Sequence, residues 1–217
     1  FSRAGQEDFT AVNGIRFSLN PGECLGIIGE SGSGKTTAVN MITRLQDATE
    51  GSILLDGVEI THLTGRELRK VYRKMQMVFQ TPTDSFDPRR TLGDGIGESL
   101  RNIGMSRKET REEVERLLGK CGLPADFADR YPHQVSGGQC QRAAIARALA
   151  VKPRLLICDE ATSALDVTVQ KEILELLNEL RSQQGNSLSI LFICHDSSLV
   201  QQFCDRVLVM YHGSIVE

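Results

Sequence analysis

The sequence has 217 residues, of which 40% are hydrophobic and 24% are charged, and its formal net charge is −3. A chain of this size and composition can bury a core as one domain, which excludes an intrinsically disordered protein. The slight negative charge argues against a protein that binds nucleic acid through bulk positive charge.

The six cysteines form no CxxC pair, and most lie among apolar neighbours. This distribution favours reduced, buried cysteines over disulfides or a metal centre. No stretch resembles a signal peptide, and apolar runs such as residues 188–194 are too short to cross a bilayer. We therefore expect a soluble chain that would need other subunits to act across a membrane.

The first 80 residues alternate between strand and helix patterns. An alternating strand over 16–19 and a buried strand over 23–28 are joined by an Asn-Pro-Gly turn. Further predicted elements follow in chain order: a helix over 35–45, a strand within 51–57, a helix over 65–74 and a strand over 75–79.

Beyond these elements the pattern changes to a polar loop and amphipathic helices, one of them over 106–122. Strand patterns then return, with a long helix between the first two, at 154–158, 188–194 and 206–210. Apolar strands that alternate with helices are typical of a mostly parallel sheet covered on both faces.

We therefore predict one α/β domain over residues 1–217. Its core would consist of residues 1–80 and 151–217, and residues 81–150 would form an inserted helical lobe.

A glycine-rich stretch directly after the strand at 23–28 fits the phosphate-binding pattern G-x-x-x-x-G-K-[ST]. Its residues are Gly29, Glu30, Ser31, Gly32, Ser33, Gly34, Lys35 and Thr36, followed by Thr37. The glycines let backbone N–H groups wrap a phosphate, and the next helix adds partial positive charge at its N-terminus. Lys35 would contact the β and γ phosphates, and the Thr36 hydroxyl would bind Mg²⁺.

Three predicted strands end in polar residues, which a parallel sheet would place at one edge. Because adjacent side chains on a strand point in different directions, we assign Asp159 to Mg²⁺ and Glu160 to the general base that polarises the attacking water. His195 would hydrogen-bond the γ-phosphate, and Gln80 would reach Mg²⁺ or the water. Taken alone, Asp159 and Glu160 fit a polar turn, His195 fits a capping or core histidine, and Gln80 fits a surface loop. Together, and beside a phosphate loop, these residues indicate a catalytic edge.

A second glycine segment, Ser136-Gly137-Gly138-Gln139, also precedes a helix. In their order along the chain, these motifs resemble those of the ATPase domains of ABC transporters. The family names them Walker A (29–36), the Q-loop (Gln80), the signature (136–139), Walker B (ending at Asp159-Glu160), the D-loop (163–166) and the H-loop (His195). The resemblance implies a RecA-like P-loop NTPase with a mostly parallel sheet, an N-terminal antiparallel β portion and an inserted α-helical lobe.

The resemblance also implies why one chain carries two glycine segments. Two ATPase subunits would face each other head to tail, with ATP and Mg²⁺ in the Walker A loop of one. Ser136, Gly137, Gly138 and Gln139 of the other would complete the enclosure of the γ-phosphate. Asp166 would contact the opposite subunit, or cap the helix that follows it, or do both. Closing of the dimer by ATP, and opening after hydrolysis, would drive transport.

Adenine recognition is assigned by the same resemblance to an aromatic residue upstream of Walker A. The candidates are Phe1 and Phe9, of which we favour Phe1. No guanine-reading NKxD element is present in the sequence, which favours ATP over GTP.

Residues 77–91, MVFQTPTDSFDPRRT, are similar to the FQDP-x-x-S-L-N-P-R stretch of the peptide and nickel importer ATPases. Thr81 replaces the usual Asp, and Phe86-Asp87 replaces Leu-Asn. This branch implies a peripheral subunit at the cytoplasmic face of the membrane. Its partners would be transmembrane permease subunits, a second ATPase subunit of the same or a different kind, and, indirectly, an extracytoplasmic solute-binding protein.

The alternative is a soluble ABC ATPase that acts on DNA or ribosomes. Repair members split the domain with a long coiled coil, yet only 55 residues (81–135) separate Gln80 from Ser136. Ribosome-associated members fuse two such domains, and the sequence contains one. We therefore favour the importer and expect no nucleic-acid partner.

Overall fold

The structure is a computed structural model that describes residues 10–163, 165–183 and 188–217. Among these residues the main sheet has six strands in the order β4-β5-β6-β1-β7-β8. The first five are mutually parallel, and β8 pairs antiparallel with β7. The strands are β1 (Cys24–Ile28), β4 (Met75–Val78), β5 (Leu155–Asp159), β6 (Ser189–Ile193), β7 (Arg206–Tyr211) and β8 (Ser214–Ile215), and the separate hairpin is β2 (Leu54–Leu55) and β3 (Val58–Glu59).

Helices connect the strands and cover the sheet. They are α1 (Lys35–Ile42), α2 (Gly65–Lys74), α3 (Leu92–Asn102), α4 (Arg107–Lys120), α5 (Gly137–Leu149), α6 (Val167–Gln183) and α7 (Ser197–Phe203). Three of them, α3 to α5, lie between β4 and β5, which confirms the predicted helical insertion. None of the helices in the described ranges is both long enough and apolar enough to cross a membrane.

The central strands are buried on both faces, as their continuous apolar sequences predict. Leu156 and Cys158 of β5 face a large cluster built mainly from α3 to α6. Leu155 and Ile157 of the same strand face a second cluster that includes α1. The helices of the insertion therefore pack in one continuous core with a face of the sheet.

The predicted strand over 16–19 is wrong, because the structure has no strand between residues 10 and 23. Phe17 and Leu19 do alternate with exposed neighbours, and both pack against the second cluster. The alternation of apolar and polar residues therefore indicates an extended, half-buried segment. It does not indicate whether that segment pairs with another strand, and among the described residues it does not. The antiparallel part before residue 80 is the short β2–β3 hairpin. β2 lies within the predicted strand at 51–57, and β3 follows it.

Candidate active site

The predicted site residues that follow strands lie at one edge of the sheet. Because β1, β4, β5 and β6 are parallel, their carboxyl ends share that edge. Gly29 follows β1, Gln80 follows β4, Asp159 ends β5 and His195 follows β6. The topology thus brings together four sequence segments that are far apart along the chain.

The P-loop, defined here as Gly29–Thr36, depends on glycine for both conformation and space. Gly29, Gly32 and Gly34 have φ angles of 155°, 81° and 100°, which side-chain-bearing residues rarely adopt. A Cβ atom on Gly34 would lie 2.4 Å from the carbonyl oxygen of Ala11. A Cβ atom on Gly29 would lie 2.2 Å from the carbonyl oxygen of Met210. The backbone of two other segments therefore packs directly against the P-loop.

We expect Gly34→Ala to destabilise the protein more than Gly32→Ala. Both residues have a left-handed backbone, so each substitution should cost about 1–2 kcal/mol. A Cβ atom at position 34 would also clash with the carbonyl oxygen of Ala11, whereas nothing lies within 4 Å of a Cβ atom on Gly32. The free energies of unfolding of both variants in urea would check this, and equal losses would contradict the steric argument.

Lys35 places its positive charge inside the P-loop. The residue is 6% exposed, and its Nζ donates to the carbonyl oxygens of Gly29 at 2.7 Å and Glu30 at 2.8 Å. Nζ also lies 3.4 Å from Ser33 Oγ. The ammonium group is therefore held in position by the loop it is predicted to serve.

The remaining P-loop residues differ in accessibility. Glu30, Ser31 and Thr36 are exposed, Thr37 is partly buried and Ser33 is buried. The first turn of α1 contains no acidic residue, so its partial positive charge is not neutralised locally. The exposed Thr36 hydroxyl at this helix end is open to a ligand.

Asp159 is the most perturbed carboxylate at the sheet edge. Burial raises its pKa, and the neighbouring Glu160 charge raises it further, whereas Lys35 lowers it. Oδ1 of Asp159 is buried and has no hydrogen-bond partner among the described residues. A carboxylate oxygen in this setting, with the Thr36 hydroxyl on the same edge, fits the oxygen ligands that Mg²⁺ prefers.

We expect Asp159→Asn to raise the melting temperature of the ligand-free protein at neutral pH. Folding raises the pKa of Asp159. The protonated carboxyl group therefore does not lower the free energy of unfolding, whereas the ionised carboxylate lowers it as pH rises through that pKa. The gain should therefore vanish at a pH below the ordinary aspartate range. Thermal melts at both pH values would test this, with the exposed Glu59→Gln as control, and a lower melting temperature at neutral pH would contradict it.

Glu160 is the residue at which the chain leaves the sheet. Its φ is 48°, in the left-handed region. Its N–H donates to Ile193 O at 3.0 Å, and its carbonyl accepts from Ser163 N at 3.0 Å and Ser163 Oγ at 2.9 Å. The direction of Glu160 relative to Asp159 is thus set by a turn. Strand alternation, from which we predicted the divergence of these two residues, does not extend to Glu160.

Ser163 is a further candidate site residue, in the D-loop motif, to which the sequence pattern gave no separate role. Its hydroxyl accepts from Gln80 Nε2 at 3.2 Å and donates to the Glu160 carbonyl at 2.9 Å. Ser163 therefore connects Gln80 to the turn that carries Glu160. The sequence signal for it was its position three residues after Glu160.

The neighbouring residues His195 and Asp196 have different structural roles. Asp196 caps α7, because its Oδ1 accepts from Ser198 N at 2.8 Å and Leu199 N at 3.3 Å. His195 precedes this cap and is exposed. The cap therefore orients the chain while the imidazole stays accessible at the sheet edge.

The signature segment, Ser136–Gln139, begins α5 with a capping box. Ser136 Oγ accepts from Gln139 N at 3.3 Å, and Gln139 Oε1 accepts from Ser136 N at 2.9 Å. A Cβ atom on Gly138 would lie 2.6 Å from Val169 Cγ1, and one on Gly137 would lie 3.7 Å from Leu165 Cδ2. Gly138 thus allows α5 to pack closely against the start of α6, which is a structural reason for glycine beside the predicted phosphate contact.

Asp166 caps α6, because its Oδ1 accepts from Val169 N at 3.1 Å. This is the capping alternative that the sequence analysis kept, and the exposed position of Asp166 is compatible with a contact to a second subunit as well. Phe1 and Phe9, the candidates for adenine stacking, lie outside the described residues.

Comparison with known proteins identifies the family of the chain. Residues 12–163 match the family model described as ABC transporter. The chain is 50% identical to the oligopeptide transport ATP-binding protein AppF of Bacillus subtilis, over 97% of this chain and 64% of that protein. It is 47% identical to the oligopeptide transport ATP-binding protein OppF of Escherichia coli, over 95% of this chain and 62% of that protein. The chain therefore spans slightly less than two thirds of the length of these relatives.

Solved structures agree in fold. The dimeric post-hydrolysis structure of the ATP-binding cassette MJ0796, bound to ADP and Pi, superposes with a TM-score of 0.88 at 33% identity, covering 100% of this chain and 93% of that one. The structure of cbiO1 from Clostridium perfringens, part of the ABC transporter complex cbiONQ, gives a TM-score of 0.85 at 29% identity, covering 95% and 80%. Because the family model matches residues 12–163 and the relatives are about half identical over nearly the whole chain, the chain belongs to the ABC transporter family.

Proposed function

We propose that this chain binds ATP with Mg²⁺, hydrolyses the ATP, and thereby powers a membrane importer of peptides. The observation that carries the proposal is the single sheet edge at which four parallel strands place Lys35, Gln80, Asp159-Glu160 and His195. A phosphate loop, carboxylates and an accessible imidazole are the groups that hydrolysis of a phosphoanhydride uses.

Each residue has a role that follows from its position. The P-loop amides and Lys35 bind the phosphates, and Thr36, Asp159 and Gln80 supply oxygen ligands for the cation. Bound Mg²⁺ would neutralise charge that develops on the phosphates during transfer. Glu160, beside the half-buried Asp159, accepts a proton from the attacking water.

The imidazole of His195 donates a hydrogen bond to the γ-phosphate. Its exposure at the edge of the sheet leaves it open to contact by a ligand and by a second subunit.

We infer that a second ATPase subunit completes the site. The hydrogen bonds of Ser136 and Gln139 join these two residues. The nearest neighbour of Gly137 is Leu165 in the D-loop, and that of Gly138 is Val169 in the first turn of α6. Beside the Asp166 cap, Val167 is 79% exposed, so the start of α6 presents apolar surface next to the signature segment. These features support an interface that includes the signature segment and the D-loop, and that closes when ATP binds.

The shared site is tested by Ser136→Arg in a Glu160→Gln background. At dilution that prevents association, the variant should bind a fluorescent ATP analogue as tightly as Glu160→Gln alone. At higher concentration, light scattering should show that ATP no longer assembles it with a second copy or with its companion ATPase. Weakened binding by the dilute chain would mean that the signature segment serves its own P-loop, and would overturn the proposal.

Peptides are the proposed cargo because the curated relatives are named for oligopeptide transport. Nickel, the other cargo of the branch that residues 77–91 resemble, has no such support. In the proposed assembly the subunit lies at the cytoplasmic face and docks on permease subunits, while a solute-binding protein acts from outside. Phe79, 38% exposed directly before Gln80, offers apolar surface for that docking.

Action on DNA or ribosomes is less well supported. The longest helix between Gln80 and Ser136 is α4, with 14 residues, so this interval holds no coiled-coil arm. The net charge of −3 also gives no electrostatic drive toward nucleic acid.

The cargo is tested with the transporter purified from its native membrane and reconstituted in vesicles. ATP hydrolysis should rise when the solute-binding protein is loaded with peptide, and should stay at its basal rate when nickel is offered. Stimulation by nickel, or by neither cargo, would overturn the assignment to a peptide importer.

A further inference from the structure

Two cysteines that are 180 residues apart along the chain meet in the fold. Cys24 Sγ lies 3.5 Å from Cys204 Sγ. Cys24 is the first residue of β1, and Cys204 directly follows α7. A disulfide has a sulfur–sulfur distance of about 2.05 Å, so a closure of about 1.5 Å separates this pair from a covalent bond.

The backbone beside both thiols is fixed by hydrogen bonds. Cys24 N donates to Asp205 Oδ2 at 2.8 Å, and Asp205 N donates to Cys24 O at 2.8 Å. Arg181 Nη1 in turn lies 2.5 Å from Asp205 Oδ2. This clamp keeps the backbone at Cys24 against the residue that follows Cys204, so the thiols stay close to each other.

A glycine provides the space for the contact. A Cβ atom on Gly26 would lie 2.3 Å from Val200 Cγ1 and 3.1 Å from Cys204 Sγ. With glycine at this position, the end of α7 and the Cys204 side chain pack directly on β1, next to Cys24. Any larger residue would push the second thiol away.

The two thiols differ in access. Cys24 is fully buried, whereas Cys204 is partly exposed. The hydrogen bond to Cys204 and burial both raise the pKa of the Cys24 thiol, so Cys24 remains protonated at neutral pH. A dissolved oxidant therefore meets Cys204 first, and Cys24 is positioned to react with the product.

We propose that Cys24 and Cys204 form a modification site at which a peroxide oxidises the pair to an intrachain disulfide. The Cys204 thiolate attacks one peroxide oxygen, which forms a sulfenic acid and releases hydroxide or water. The Cys24 sulfur then attacks the sulfenic sulfur, and the second water leaves with the Cys24 proton. In sum, two thiols and one hydrogen peroxide give one disulfide and two waters.

The position of the pair determines the consequence of oxidation. Cys24 begins β1 and Cys204 lies two residues before β7, at the amino ends of these strands, whereas the P-loop lies at the carboxyl end of β1. The bond would therefore tie α7 and β7 to β1 without covering the candidate active site. It should stabilise the fold, because it constrains a very long loop of the unfolded chain, and it should leave nucleotide binding in place.

The test treats the reduced protein with hydrogen peroxide and needs no nucleotide, so it is independent of the proposed function. Non-reducing peptide mass spectrometry should find the Cys24 and Cys204 peptides joined, with loss of two hydrogens. The melting temperature should rise by several degrees and return to its starting value with dithiothreitol. Cys204→Ser should abolish both changes, and Cys121→Ser, which removes a buried thiol elsewhere, should preserve them.

Three results would overturn the proposal. One is a bond from Cys204 to the nearby Cys158 instead of Cys24. Another is a sulfinic or sulfonic acid on Cys204 with Cys24 still reduced. The third is the absence of any thiol loss at peroxide concentrations that oxidise a free cysteine in solution. Because Cys204 is only partly buried, Cys204→Ser should fold even if replacing Cys24 does not.

Discussion

Glu160→Gln is expected to keep ATP binding, to lower the hydrolysis rate about 10²- to 10⁴-fold, and to leave an ATP-bound dimer that no longer dissociates. The expected decrease in hydrolysis rate is the typical contribution of a general base, which this substitution removes. The contacts that place Glu160 in the turn are made by its backbone, to Ile193 and Ser163. The amide variant therefore retains the turn and loses only the ability to accept a proton. Single-turnover hydrolysis and light scattering with ATP would measure the two effects.

A matched control is Glu179→Gln, which changes an exposed carboxylate on α6 and should hydrolyse ATP as the unmodified protein does. Near-normal turnover by Glu160→Gln would remove Glu160 as the base. Asp159, which burial keeps harder to ionise, would then be the carboxylate to substitute next.

Lys35→Ala is expected to weaken ATP binding about 10- to 100-fold. This is the range for the loss of one hydrogen bond to a charged group. The P-loop amides and the helix N-terminus remain, so binding should not vanish entirely. Isothermal titration with ATP and Mg²⁺ would give the change in Kd.

Lys35 also satisfies the carbonyl oxygens of Gly29 and Glu30, so a melt of the ligand-free variant is needed beside the titration. Lys70→Ala, which removes an exposed lysine from α2, is the control for loss of one positive charge. Unchanged ATP affinity in a folded Lys35→Ala variant would refute the assignment of the P-loop.

Local patterns in the sequence were sufficient for most of the elements and for the sheet edge that carries the candidate site. Strands such as 188–194 are apolar because both of their faces are covered, and this requirement is visible in the residues themselves. Gly29, Gly32 and Gly34 are required by the backbone conformation of the P-loop. The P-loop could therefore be predicted from the local sequence, without knowledge of the segments that pack against it. Parallel strands share one edge, so the approach of Gln80, Asp159 and His195 followed from the strand prediction.

Only the tertiary structure decided contacts between distant segments. The segment 16–19 alternates like a strand but has no pairing strand in the described range, because pairing depends on a partner that periodicity does not report. The left-handed turn at Glu160 and the bond from Gln80 to Ser163 depend on where two chain segments meet at the sheet edge. The contact between Cys24 and Cys204 requires the register of β1 against β7, together with a glycine at 26 to admit the second thiol. Each of these features is set by packing across the core, which no local pattern of residues contains.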